Sequence, residues 1–317
     1  MKVSIALIFV ISIITLNYNC SQTKNKTYKS ANKTNGEFES IKAEVETINE
    51  RIEHFYLNED TDSLIGLYSE KFTFFPEYKS AILETKSLKK FYKDWFNVVD
   101  NMIYKKVIYK VETFSDCVLE IGNFSLTYST TQHSKNNYTG KYMIMWKRNA
   151  KMKLNILSEA FGSDKFIGPE NVPYADVQIK ESYVLDKNIV SNELRPEIEE
   201  VDKILTKAVV EGNGKARADG FTKDGIYMPH FGSILDGMDV LVPYMMKTYT
   251  PGSKLYVRNT YREIFNLGEF IFINGHFKGG WGDPINGGTF EGNMSNLMKR
   301  NENGKLLMYR QLANNDR

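Results

Sequence analysis

Apolar residues recur at three- and four-residue steps through Phe38, Ile41, Val45, Ile48, Ile52 and Phe55. That spacing predicts an amphipathic helix laying one face on a core. Asn58-Glu-Asp-Thr-Asp62 ends it, and a short helix over Ser63 to Ser69 leads to an aromatic strand, Phe72-Thr-Phe-Phe, closed by Pro76. Leu88, Phe91, Trp95 and Val99 share one face of a third helix starting near Ser87. The period then shortens to two. Strands are predicted over Ile103–Phe114, Cys117–Thr130, Gly140–Arg148 and Lys153–Glu159, the last pair turning at Asn149-Ala-Lys-Met.

The same order then returns. Gly168-Pro169 and Pro173 mark a connector over 162–193, whose later part can add a strand. Leu194, Ile198, Val201, Leu205 and Ala208 predict a helix broken by Glu211-Gly-Asn-Gly214. An aromatic strand follows from Phe221 to Pro229, then a helix capped by Asp236 and running to about Lys247. Strands are predicted over Tyr256–Phe265, Glu269–Trp281, Thr289–Arg300 and Lys305–Leu312, with Asn301-Glu-Asn-Gly304 as the final hairpin turn.

Landmarks fix the register between the halves. Pro76 matches Pro229 and Gly122 matches Gly275 at an offset of 153; Gly140 matches Gly292 and Lys147-Arg148 matches Lys299-Arg300 at 152. A period this long means two copies of a domain rather than a solenoid. The expected organisation is a segment 1–20, a polar tether 21–36, domain one over 37–161, the connector 162–193 and domain two over 194–317. At 317 residues, two domains of ordinary size fit. Helices followed by runs of antiparallel strands make the class α+β.

Composition changes little in this picture. Charged residues are 25% with a net charge of +2 and no basic stripe, so nucleic acid is not an expected partner. Aromatics are plentiful, with 19 Phe, 19 Tyr and 3 Trp, which suits a lined cavity or an aromatic core. The N-terminus has its own chemistry. Lys2 precedes a 14-residue apolar run, Val3 to Leu16. That is short of the roughly 20 residues of a membrane span and fits a signal peptide. Cys20 follows, then a polar stretch. The layout resembles a bacterial lipoprotein signal, which implies Cys20 as the lipidated residue and an envelope location, with simple secretion as the alternative. The other cysteine, Cys117, falls in an apolar strand, so no internal disulfide is expected.

Each half resembles an NTF2-like domain of the SnoaL or DUF4440 type. The resemblance rests on four elements: the opening helix with its acidic or Gly/Asn turn (Asn58-Glu-Asp, Glu211-Gly-Asn), the aromatic strand ending in Pro, the Gly-containing lead into the next helix (Leu235-Asp-Gly237), and the Gly-to-Lys-Arg strand with its hairpin partner. It covers roughly 37–161 and 194–314. It implies two cone-shaped domains, each a curved antiparallel sheet wrapped around about three helices, with an internal cavity. It also implies that the two copies can pair through their sheets, within the chain or as a homodimer.

The candidate chemistry lies mainly in the second half. Phe270, Phe272, Asn274 and His276 share a strand face that turns from apolar to polar, where the first half has Cys117, Leu119, Ile121 and Asn123. His276 is the candidate general base, with Tyr227 polarising a carbonyl oxygen, if the protein is an enzyme. His230, Tyr244, Phe272, Asn274, Trp281, Asn293 and Arg310 are candidate ligand contacts. Arg310 and Gln311 alternate, so one faces inward, and an inward arginine would favour a carboxylate. Glu159 is the first half's ionisable candidate. No His/Cys cluster has metal spacing, no Gly-rich loop has phosphate-binding context and no nucleophile elbow is present, so no metal or cofactor is expected. The expected function is binding of a small apolar or amphipathic ligand. The alternatives are a cofactor-independent isomerase or dehydratase acting on a carbonyl compound, and an interaction module.

Overall fold

The structure, a computed structural model, describes residues 35–130, 135–179, 193–282 and 286–316. The expected signal segment, Cys20 and nearly all of the tether lie outside them. Among the described residues no helix is long and apolar enough to cross a membrane. The described residues belong to one compact unit.

The first half runs α1 (Asn35–Leu57), α2 (Thr61–Ile65), β1 (Tyr68–Phe75), α3 (Thr85–Phe96), β2 (Asp100–Phe114), β3 (Cys117–Ser129), β4 (Asn136–Arg148) and β5 (Leu154–Ser163). The second runs α4 (Arg195–Val210), α5 (Gly214–Ala218), β6 (Phe221–Met228), β7 (Leu235–Asp236), α6 (Met238–Thr248), β8 (Tyr256–Leu267), β9 (Phe270–Trp281), β10 (Gly288–Arg300) and β11 (Leu306–Asn315). Equivalent elements stand 153 residues apart up to β3 and β9, and 152 apart thereafter. The one-residue difference therefore falls in the connection before β4 and β10. The repeated order implies a second helix in this half without giving its span, and α5 fills that place. Its signal was an Asx cap: Asn213 accepts from the Ala216 amide at 2.9 Å, as Asp60 accepts from the Ser63 amide at 3.0 Å in front of α2. Asp236, expected to cap α6, instead lies in β7, and Gly237 takes the cap position at φ +86°, where only glycine is unstrained.

There are two separate sheets. One has strand order β1-β5-β4-β3-β2, the other β7-β6-β11-β10-β9-β8. Neither is wholly antiparallel as expected. The aromatic strand runs parallel to the last strand in each, β1 with β5 and β6 with β11. Because α3 and α6 carry the chain from one sheet edge to the other, the aromatic strand's direction is not tied to a hairpin.

Both faces of each sheet are covered. One face of the first sheet packs on its helices, with Ile48, Ile52, Leu88, Tyr92 and Trp95 against Phe74, Tyr142 and Trp146. The other face packs against the second sheet. Cys117, Leu119, Ile121, Met143, Met145 and Leu157 share one cluster with Ile226, Met228, Phe272, Leu297 and Leu312. Cys117 is a free, buried thiol whose pKa burial pushes up to about 12, so it is inert. Bending glycines stand on the helix-facing side. A Cβ on Gly122 would lie 2.3 Å from the Tyr142 hydroxyl, and one on Gly292 would lie 2.0 Å from the Asn314 carbonyl oxygen. The sequence landmarks are thus places where no side chain fits.

Polar contacts cross between the sheets. Glu77 and His230, equivalent positions 153 apart, meet at 2.8 Å. Equivalent positions meet in this way at the twofold axis of an isologous pair. Arg310 Nε and Nη2 each donate to Glu112 at 2.8 Å, and Ser158 Oγ donates to Asn274 Oδ1 at 3.0 Å.

Candidate functional site

In the second half the space between helices and sheet stays open. A cavity of about 410 Å³ lies there, whereas the corresponding place in the first half holds about 10 Å³. Substitutions at equivalent positions explain the contrast. Tyr56, Trp95 and Tyr104 crowd the first half; Val209, Thr248 and Val257 stand in their places on the cavity wall. The connector also plugs the first half. Tyr174 is fully buried, with ring centroids 5.3 Å from Phe91 and 5.0 Å from Trp95. The expected linker therefore contributes core, at least to residue 179; its possible later strand lies largely outside the described residues.

The cavity wall is mixed. Leu205, Phe277, Phe290, Met294, Met308 and Trp281 give apolar surface, with Trp281 45% exposed. Polar groups stand among them. Arg217 comes from α5 and lies with its guanidinium 5.2 Å from the Phe221 ring centroid. Its Nη2 donates to Gln311 Oε1 at 2.7 Å, and Gln311 Nε2 donates to Asn296 Oδ1 at 3.0 Å. The first half has Leu64, Glu159 and Ile144 at these positions. Asp202 on α4 accepts from Asn259 on β8. Burial raises the Asp202 pKa, against the opposing Asn259 hydrogen bond and the Arg217 charge. Tyr227 is held well above its usual pKa by burial and by Tyr249 and Tyr244 nearby, so it serves as a neutral donor.

Of the residues singled out from sequence, Tyr227, His230, Tyr244 and Trp281 line this cavity. His230 also hydrogen-bonds Glu77; burial lowers its pKa while Glu77 works the other way. Phe272, Asn274, His276, Asn293 and Arg310 do not line it, and their face is turned towards the first sheet. Phe272 belongs to the inter-sheet core, Asn274 bonds Ser158, and Asn293 donates to the Lys79 carbonyl at 3.4 Å. Arg310 is fully enclosed on Glu112. His276 lies 2.9 Å from Asp316 Oδ2. The pairing of His276 with Tyr227 is therefore corrected, because the two project from opposite faces of the sheet. The reason is physical. Alternation says which residues share a face, but with both faces buried it does not say which face looks into the cavity. Of the alternating pair Arg310 and Gln311, it is Gln311 that faces inward. In the first half Glu159 does face inward, accepting from Tyr68, and burial raises its pKa. Glu120, unforeseen, lies beside it, accepting from Tyr142 at 2.6 Å and from Trp146 at 2.9 Å.

His276, Glu291 and Asp316 bring ligand atoms within 4.8 Å of one another. Sequence spacing cannot see such a grouping, since β9, β10 and the chain after β11 supply one residue each. It is a partly buried cluster joined by the His276–Asp316 hydrogen bond. The groups that sequence reasoning missed are Arg217, Asp202, Asn259 and Asn296. Carrying the 153-residue offset through the helices would have exposed Leu64 against Arg217.

No protein-family model matches the chain, and no curated protein matches it. Solved structures do. A protein of unknown function from Mycobacterium tuberculosis is 13% identical, with a TM-score of 0.38, over 44% of this chain and 90% of that one. A ketosteroid isomerase-like protein from Erwinia carotovora atroseptica is 15% identical, with a TM-score of 0.34, over 39% of this chain and 97% of that one. An NTF-2 like protein of unknown function from Shewanella oneidensis is 16% identical, with a TM-score of 0.32, over 38% of this chain and 98% of that one.

Proposed function

We propose that this chain is a tandem pair of NTF2-like units whose second copy binds a small amphipathic molecule, the first copy serving as its structural partner. A lipid on Cys20 would hold it at a bacterial envelope. The observation that carries the reading is the contrast between twins. One cone is filled by Tyr56, Trp95, Tyr104 and Tyr174, and the other keeps about 410 Å³. A cavity of that size, with a mixed wall and a few convergent polar groups, has the character of a small-molecule site. The apolar cluster shared by the two sheets supports a pairing of the copies within the chain.

Native mass spectrometry of protein purified from its source membranes tests this. A retained small molecule is expected, absent from Thr248→Trp, which puts the first half's Trp95 into the second cavity. Retention of the same molecule by that variant would place the binding elsewhere. The same sample reports an acyl group on Cys20, and an unmodified cysteine or a chain cut elsewhere would remove the anchor.

A second reading has one observation in its favour. Asp202 is a half-buried carboxyl with a raised pKa on the cavity wall, the disposition of a proton-transfer group. If the bound molecule is turned over, Asp202→Asn abolishes turnover and leaves binding in place. Unchanged turnover would end this reading.

A further inference from the structure

We propose that the molecule bound in the second-half cavity carries a carboxylate, and that Arg217 is the group that holds it. This rests on the cavity being a binding site and adds what it selects. Arg217 is only 7% exposed and lines the cavity. Its Nη1 is buried with no acceptor, and Nη2 donates to a neutral amide, Gln311. Among the described residues no carboxylate stands within ion-pair distance of its guanidinium. Asp202, the acid of the cavity wall, is near enough to feel the Arg217 charge but bonds Asn259 rather than the guanidinium.

A buried guanidinium without an anion and with an unused N–H is costly unless something supplies the missing charge. Elsewhere in this protein the cost is met. Arg310, fully enclosed, has Glu112 across its fork. The fold does not demand an arginine at 217, because Leu64 packs in the core at the equivalent place, 2% exposed. The rest of the wall agrees in sign. Lys254 is a second cation on it, with its Nζ 5.5 Å from the Phe290 ring centroid, while Asp202 is shifted towards its neutral form. A planar carboxylate matches the fork of an arginine. The apolar remainder of the ligand would lie along Met294, Met308 and Phe277 towards Trp281.

Isothermal titration of the purified full chain with decanoate and with 1-decanol separates the claims, because the two probes share a tail and differ in the head group. Decanoate is expected to bind at least about tenfold more tightly than decanol, the ratio of one charge-assisted pairing. Arg217→Gln should erase that ratio while leaving decanol affinity within about twofold. Arg217→Lys should keep part of it. Equal affinities for the two probes in the wild-type chain would overturn the carboxylate claim and leave the cavity a binding site. The wild-type comparison needs no variant, so misfolding of a substituted chain cannot hide the answer. A ratio that persists in a folded Arg217→Gln chain would overturn the assignment to Arg217. Failure of both probes to bind would count against the proposal and against the binding reading together.

Discussion

Replacing Glu112 by alanine strands a fully buried cation, Arg310. Arg310 is fully enclosed and holds four hydrogen bonds: two to Glu112 at 2.8 Å, one to the Asp224 carbonyl at 2.6 Å and one to the Tyr309 carbonyl at 3.0 Å. Glu112 belongs to the first sheet and Arg310 to the second, so the pair joins the halves. Removing one partner of a buried pair costs about 3–5 kcal/mol, because a charge is left without its counterion. The Tyr309 hydroxyl, which also donates to Glu112 at 2.5 Å, loses its acceptor, for about 1 kcal/mol more. Glu112 itself is 16% exposed, so water can enter the gap and the total falls near the lower end, about 3–4 kcal/mol. Urea unfolding followed by tryptophan fluorescence reads this as a midpoint lowered by roughly 1 M. The double variant Glu112→Leu with Arg310→Met should recover most of the loss, since an apolar pair of similar volume replaces a buried ion pair at little cost. A Glu112→Ala midpoint indistinguishable from wild type would refute the reasoning. So would a double variant less stable than the single one.

Further outcomes follow from other parts of the molecule. Gly292→Ala forces a Cβ to within 2.0 Å of the Asn314 carbonyl oxygen and 2.6 Å of the Phe277 ring. A loss of about 2–3 kcal/mol is expected in the same urea assay, and an unchanged midpoint would show that the bend there is not tight. Thr248→Trp should remove decanoate binding with less than about 1 kcal/mol of destabilisation, because it fills a void rather than a packed core. His230 is half-buried and desolvation lowers its pKa from the ordinary 6.5, so the folded chain binds fewer protons than the unfolded one as pH falls past that value. The His230 contribution to stability should therefore fall from about pH 6.5 downward and that of Glu77, whose pKa is lowered, below its ordinary value of 4.5, while the raised pKa values of Glu159 and Asp202 act in the opposite sense. His230→Gln should flatten the upper part of that profile, and a slope unchanged by the substitution would contradict it.

Much of the fold was legible because periodicity is local. The stripe from Ile41 to Phe55 and the alternation in β3 and β9 depend on neighbouring residues alone, and the landmark glycines mark where sheet and neighbour approach too closely for a Cβ. The parallel pairing of β1 with β5 was not legible, since nothing short-range joins those strands. The site was half legible. Tyr227, His230, Tyr244 and Trp281 reach the cavity. The face carrying Phe272, Asn274 and His276 was misdirected, because a sheet buried on both sides alternates apolar with apolar. Arg310 is a candidate carboxylate contact only if it faces inward; the structure closes it on Glu112 and leaves Arg217 with the unused N–H. That choice depends on a glutamate 198 residues away in sequence, which no local pattern contains.

The most direct test of the central claim uses methionines as reporters. Met294 and Met308 line the second cavity, while Met143 and Met145 lie in the core between the sheets. With methyl-labelled methionine, nuclear magnetic resonance spectra recorded during titration with decanoate should show the Met294 and Met308 signals moving to saturation while those of Met143 and Met145 stay in place. Saturable shifts confined to the inter-sheet or first-half methionines, with Met294 and Met308 unmoved, would contradict a ligand site in the second cone.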